Sequence, residues 1–189
     1  MTAMDRGAAE ALIFERLSPR RRDHAHRVAA EAVVLARRFG APVDKAELAG
    51  LLHDLCRELP DDETLAAAAK YGIPVGAVEA RRPRKILHGP VAAAELAGRG
   101  LDPDVVRAIA LHTVGDAGMT VLEKCVYLAD YCEPSRHFSG VDDVRALAEA
   151  SLDGAVGAAA RLSLLDLIGR GRGVVPGALR LYNETHAGQ

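Results

Sequence analysis

His24, the adjacent pair His53–Asp54, His88, His112 and Asp130 are the side chains here whose types and settings suit metal ligation. Neutral imidazoles and carboxylates, without thiolates, favour a borderline or hard first-row ion such as Fe, Mn, Ni or Zn. The adjacent His53–Asp54 pair in a leucine-rich run either sits on an exposed face or binds something, because burying an unpaired carboxylate is costly. Each residue also has a plainer reading. His24 alone reads as a core histidine with one hydrogen-bond partner. His53, Asp54 and Arg57 alone read as a polar, solvated helix face. Asp130 is harder to explain away, because "CVYLADYCEP" is apolar on nearly every side and a buried carboxylate needs a partner, most simply a cation.

The elements that must carry these residues read as helices throughout, expected near 4–17, 19–39, 43–58, 61–71, 89–99, 103–113, 119–133, 141–169 and 176–185. Breaks fall at "FGAP", "YGIP", "HGP", "GRGLDP" and "VGDAG". On the second segment Val28, Ala32, Leu35 and Phe39 recur at helical spacing and mark the buried face. His24 continues that face, whereas His26, turned by about 200°, points outward. In the third segment Leu48, Leu51, Leu52 and Leu55 form the apolar stripe, which puts His53 and Asp54 on either side of the opposite face. Gly50 lies one turn back, and a mid-helix glycine marks a candidate close approach by another element. His88 precedes a Gly-Pro at a helix start, and His112 sits near a helix end.

Hydrophobic residues make up 49% of the 189 and aromatics only 4%, so alanine and leucine must do most of the packing. That favours closely packed helices over a sandwich or barrel. The expected architecture is an all-α, single-domain bundle of about nine helices, with residues 1–18 as an N-terminal helix and 19–189 as the functional domain. A net charge of −2 gives no electrostatic case for nucleic acid or an anionic membrane. No apolar run approaches membrane-spanning length, and the N-terminus lacks the layout of a secretory signal. Cys56, Cys125 and Cys132 form no C-x-x-C pair, which argues against a disulfide framework and for a reducing cytoplasm. Cys125 and Cys132, with Met119 and Leu122, read as packed hydrophobes.

Several stretches together resemble the YqeK branch of the HD-domain phosphohydrolases: "DHAHRVAAEAVVLARRFG", "AGLLHDLCRELP", "RKILHGPVAA", "AIALHTVG" and "MTVLEKCVYLADYCEPSR". The resemblance spans roughly residues 20 to 185. It implies an all-α metal-dependent hydrolase that cuts diadenosine tetraphosphate symmetrically to two ADP, using one or two iron ions, with Mn, Ni or Zn as other candidates. It places the metal ligands on His24, His53, Asp54 and Asp130. His88 and His112 would hold a second metal or contact phosphate. Thr113 falls in the phosphate-contacting part of the motif, and Arg136 matches the arginine after Glu-Pro. A homodimer is implied by resemblance alone. Departures are His137 and Ser139, in place of "RDFPGV"-like wording, and Arg57, where lysine is common.

A polyphosphate linkage is heavily anionic, and a bound metal both supplies hydroxide and neutralises charge. Asp54 is the candidate bridge if two metals are present. Arg57, Lys85, Arg136 and Arg21 are candidates to stabilise phosphates. His88 or His112, if not ligands, are candidates to protonate the leaving oxygen. Arg172, in "GRGRGVVP", is a weaker candidate beside the reading as a solvated loop. The competing functions are another HD-type nucleotide phosphohydrolase and a non-catalytic nucleotide sensor.

Overall fold

Small side chains decide how the helices meet. In the computed structural model, which describes residues 4–187, α1 (Arg6–Arg16) is followed by α2 (Pro19–Phe39) and α3 (Val43–Leu52). Residues 1–3 and 188–189, included in the expected segments 1–18 and 19–189, lie outside the described residues. α2 buries Ala25, Val28, Ala29, Ala32, Leu35 and Ala36 along one face, and α3 lays Ala46, Ala49 and Gly50 against the core. Gly50 is a point of close backbone approach between the two helices. A Cβ there would stand 2.5 Å from the Cα of Ala29 and 2.8 Å from its amide nitrogen. The glycine is therefore a contact residue, as its mid-helix position suggested.

α4 (Asp61–Lys70), α5 (Ala77–Arg81) and α6 (Pro83–Ile86) lead to the packed pair α7 (His88–Gly98) and α8 (Pro103–Leu111). α9 (Val121–Cys132) begins with a capping box. The Thr120 hydroxyl accepts from the Glu123 amide, and the Glu123 carboxylate accepts from the Thr120 amide. This fixes the start of the helix that carries Asp130. α9 packs on α2, α3 and α8, so the middle of the bundle is built from those four elements. α10 (Val141–Ala148), α11 (Leu152–Gly169) and α12 (Pro176–His186) close one side, with α11 against α9. α1 adds Ala9 and Ile13 to the same core.

The fold is all-α, as expected, but the described residues hold twelve helices rather than nine. α5 and α6 are too short to show a period. The expected 141–169 helix is two, because Ser151 adopts extended backbone and its hydroxyl accepts from the Gly154 amide as an N-cap. The expected 43–58 helix stops at Leu52, with consequences for the site. All three cysteines are buried, and burial pushes each thiol up to about 12, so they behave as packed hydrophobes. No described helix is long and apolar enough to cross a membrane.

Candidate metal centre

The turn after α3 is the first departure from the sequence reading. Leu55 donates to the Leu52 carbonyl and Arg57 to the Asp54 carbonyl, so the chain winds by three residues instead of four. That tighter winding carries His53 and Asp54 off the expected outer face. Both are buried, His53 completely, alongside Leu51, Leu52 and Leu55. The solvated-face reading of this pair is therefore wrong. His53 Nδ1 donates to the Gly50 carbonyl at 2.7 Å, so the glycine that admits α2 also anchors the ring.

The other histidines are held in the same way. His88, the first residue of α7, turns Nδ1 to the Arg84 carbonyl at 3.0 Å. His112, the C-cap of α8, turns Nδ1 to the Ile109 carbonyl at 2.8 Å. A carbonyl only accepts, so Nδ1 carries the proton in each ring and Nε2 is left to face inward. His24, on the buried face of α2, turns Nδ1 to the Glu133 carboxylate at 3.2 Å. His26 is exposed and lies 3.5 Å from Glu10, away from the site, as its helical phase required. Gly89 lets α7 and α8 meet at this point: a Cβ there would lie 2.9 Å from the Ile109 carbonyl oxygen and 3.0 Å from the His112 ring.

All four Nε2 atoms and both aspartates converge. His24 Nε2 lies 3.1 Å from Asp130 Oδ1 and 3.6 Å from Asp54 Oδ2. His53 Nε2 lies 3.5 Å from Asp54 Oδ2 and 3.9 Å from Asp130 Oδ1. On the other side of Asp54, Oδ1 is 3.0 Å from His88 Nε2 and 3.9 Å from His112 Nε2. His88 Nε2 and His112 Nε2 are 3.0 Å apart, with the Thr113 hydroxyl within 3.2 Å of both. Two groupings with ligand-like spacing result: His24, His53 and Asp130; and His53, Asp54 and His112.

The electrostatics favour a cation here. His24 Nε2 and His53 Nε2 are buried with no hydrogen-bond partner, an arrangement that a metal ion would resolve. Burial lowers the His53 pKa, but the charges of Asp54 and Asp130 outweigh it and raise the group overall. A site that draws a proton against burial is one that would draw a divalent ion. Burial works to raise Asp54, yet His53 and His88 hold its carboxyl well below the usual range. Asp130 is likewise held low against burial, by His24, His53 and Arg136. Burial, then the nearby His53 and His88, push His112 down to about 3, which keeps it neutral. The donor set and the two orphaned nitrogens thus fit a first-row metal.

Cations surround the acids. Arg21 Nη1 reaches Asp54 Oδ2 at 2.7 Å, and Arg57 Nε is 3.9 Å from Asp54 Oδ1. Arg136 pairs with the Asp130 carboxylate and also donates to its main-chain carbonyl. Lys85 and Arg172 make no hydrogen bond or ion pair with this cluster among the described residues. They line, together with Thr113, a neighbouring cavity of about 680 Å³. Tyr127, Tyr131, Phe138, Leu162 and Leu167 give that cavity an apolar wall, and Arg82 and Arg170 add charge. The charge of Arg57, then burial and the further charges of Arg84, Arg82 and Arg21, lower the Lys85 pKa, so this corner repels cations and attracts anions.

The sequence reading missed Glu133, which is buried and bonded to His24, Arg27 and Ser135. Its one signal was position: an acid one helical turn after Asp130, in an apolar run. It also missed the aromatic wall of the cavity.

Residues 21–135 match the HD domain family. The chain is 36% identical over 187 residues to a Bacillus subtilis (strain 168) protein named symmetrical bis(5′-nucleosyl)-tetraphosphatase, covering 98% of this chain and 100% of that one. A Staphylococcus aureus (strain NCTC 8325 / PS 47) protein of the same name is 35% identical over 94% of this chain and 89% of its own length. The crystal structure of a Clostridium acetobutylicum protein, described as a predicted HD superfamily hydrolase involved in NAD metabolism, superposes with a TM-score of 0.91. It is 29% identical, and the match covers the whole of both chains.

Proposed function

Because the chain belongs to the HD-domain family and, within it, to the branch named symmetrical bis(5′-nucleosyl)-tetraphosphatase, we propose that it hydrolyses diadenosine tetraphosphate to two ADP with a bound metal. The observation that carries this reading is the convergence of four Nε2 atoms and two carboxylates from separate elements, beside a cationic, aromatic-walled cavity.

His24, His53, Asp54 and Asp130 would hold one ion, iron by family resemblance, with Mn, Ni or Zn as alternatives. Asp54 presents Oδ2 to His24 and His53 and Oδ1 to His88 and His112, so it is the residue that two ions would share. A divalent ion there acidifies water and screens phosphate charge. The rest falls to the chain's own groups. Arg21, Arg57 and Arg136 stand around the acids and would take phosphate oxygens through charge-assisted hydrogen bonds. Lys85, Thr113 and Arg172 would hold phosphate at the cavity mouth, with the nucleoside along the aromatic wall. His88 and His112 keep Nδ1–H on main-chain carbonyls, so Nε2 is a lone pair, better suited to binding metal than to donating a proton. The family resemblance alone supports a homodimer, and the three free cysteines support a reducing, cytoplasmic location.

Purified protein given diadenosine tetraphosphate and a divalent metal should yield ADP alone. AMP plus ATP would rule out symmetric cleavage, and no turnover in a metal-loaded preparation would favour the nucleotide sensor. The Clostridium description favours a second reading, hydrolysis of a nicotinamide nucleotide, so NAD belongs in the same assay. Metal should also stabilise the fold. At a free concentration a hundred times the dissociation constant the gain is about 2.7 kcal/mol. For a chain of this length that raises the melting temperature by roughly 5–10 °C, and excess chelator should reverse it.

A further inference from the structure

We infer that Glu133 is a positioning residue for His24, fixing which ring nitrogen carries the proton and so keeping Nε2 free to bind metal. The inference rests on the metal reading above and adds to it a specific role outside the ligand set.

Three of the four clustered histidines are tied to the main chain, through the carbonyls of Gly50, Arg84 and Ile109. No side-chain substitution can remove those acceptors. His24 differs, because among the described residues its Nδ1 meets only the Glu133 carboxylate, at 3.2 Å. Glu133 is itself held rigidly. Its Oε2 accepts from Arg27 Nε at 2.9 Å and from the Ser135 amide at 2.7 Å, while the Ser135 hydroxyl donates to Oε1. Its main-chain carbonyl accepts from Arg145 Nη2 at 2.8 Å, and the same guanidinium holds the carbonyls of Cys132 and Arg136. The residue is 1% exposed, so its carboxylate is shielded from water. Acceptor-only carboxylates flank both ring nitrogens, Glu133 at Nδ1 and Asp130 Oδ1 3.1 Å from Nε2; with a cation held between Asp130 and Nε2, the ring proton would sit on Nδ1, where Glu133 accepts it. Glu133 also spans the two elements that must stay in register, since Asp130 is one turn before it and both His24 and Arg27 lie on α2.

Glu133→Gln separates this role from mere packing. The amide is nearly isosteric. Its oxygen is claimed by the Arg27 Nε–H and Ser135 N–H, which point at Oε2. The NH2 then faces His24 Nδ1 and donates to it, which moves the ring proton to Nε2 and turns the ligand nitrogen into a donor. A packing role would tolerate glutamine and suffer from alanine. A positioning role makes glutamine at least as harmful as alanine.

The test measures zinc affinity, by competition with a chromophoric chelator, for the wild-type chain, Glu133→Gln and Glu133→Ala. Nitrogen-15 spectra of the histidines in the zinc-loaded wild type are recorded alongside. Expected are a His24 ring protonated at Nδ1 in the wild type and zinc binding weakened about 10–100-fold in the glutamine variant. Its metal-free helical content and melting temperature should be unchanged. Wild-type affinity in Glu133→Gln overturns the inference. So does a His24 ring without an Nδ1 proton in the loaded wild type, a reading that holds whether or not either variant folds. A wild-type chain that binds no divalent ion overturns the metal reading itself, which separates that failure from this one.

Discussion

Asp54→Ala should remove bound divalent metal and nucleotide hydrolysis together while leaving the helical circular dichroism intact. Among the described residues Asp54 is the one side chain whose two oxygens face both halves of the histidine cluster. Without it both halves of the cluster lose the carboxylate they share, and with it the donor that links His24 and His53 to His88 and His112. If the metal stabilises the transition state by several kcal/mol, about 4, its loss costs roughly a thousandfold in turnover. The fold should survive, because Arg21, the closest partner of Asp54, is partly exposed and can turn to water. Elemental analysis, product formation and the far-ultraviolet spectrum check the three parts. Near-normal turnover in this variant would refute the assigned site.

Gly50→Ala is the second change expected to do large damage, although it adds only one methyl. The new carbon would lie 2.5 Å from Ala29 Cα and 2.8 Å from its nitrogen, both backbone atoms that no rotamer change can move. Overpacking of this kind costs about 3 kcal/mol, while alanine recovers up to about 1 kcal/mol of helix propensity. The net loss of about 2 kcal/mol corresponds to a melting temperature lower by roughly 4–8 °C. Metal affinity should fall as well, since the Gly50 carbonyl anchors the His53 ring. Gly98→Ala is the control: a Cβ there meets nothing within 4 Å, so the melting temperature should hold or rise slightly. Equal melting temperatures for the two variants would remove Gly50 from its assigned place.

Much of this arrangement was legible in the chain before any coordinates. Helical phase alone separated buried His24 from exposed His26, and the conflict between Asp130 and its apolar neighbours marked a site. Gly50 announced a close approach because a mid-helix glycine costs stability unless something fills the space. The turn at His53–Asp54 was not legible, because the leucine pattern runs through it unchanged and does not record whether a carbonyl is met three or four residues on. α5 and α6 are shorter than the pattern that reveals a helix. The break at Ser151 carried a capping signal, but the alanines on both sides read as one continuous period. Glu133 was invisible for a different reason. Its meaning lies in its contact with His24, which no local window contains.

That contact joins residues 109 positions apart in the chain. During synthesis, the ribosome must have passed Glu133 before the centre can be complete, since Asp130 and Glu133 are the last of its parts to emerge. A nascent chain ending earlier lacks both Asp130 and the acceptor for the His24 ring. Closing so distant a contact carries a loop-entropy cost and slows folding. A metal held by the full ligand set would therefore be acquired late in biogenesis, after the helical scaffold has assembled.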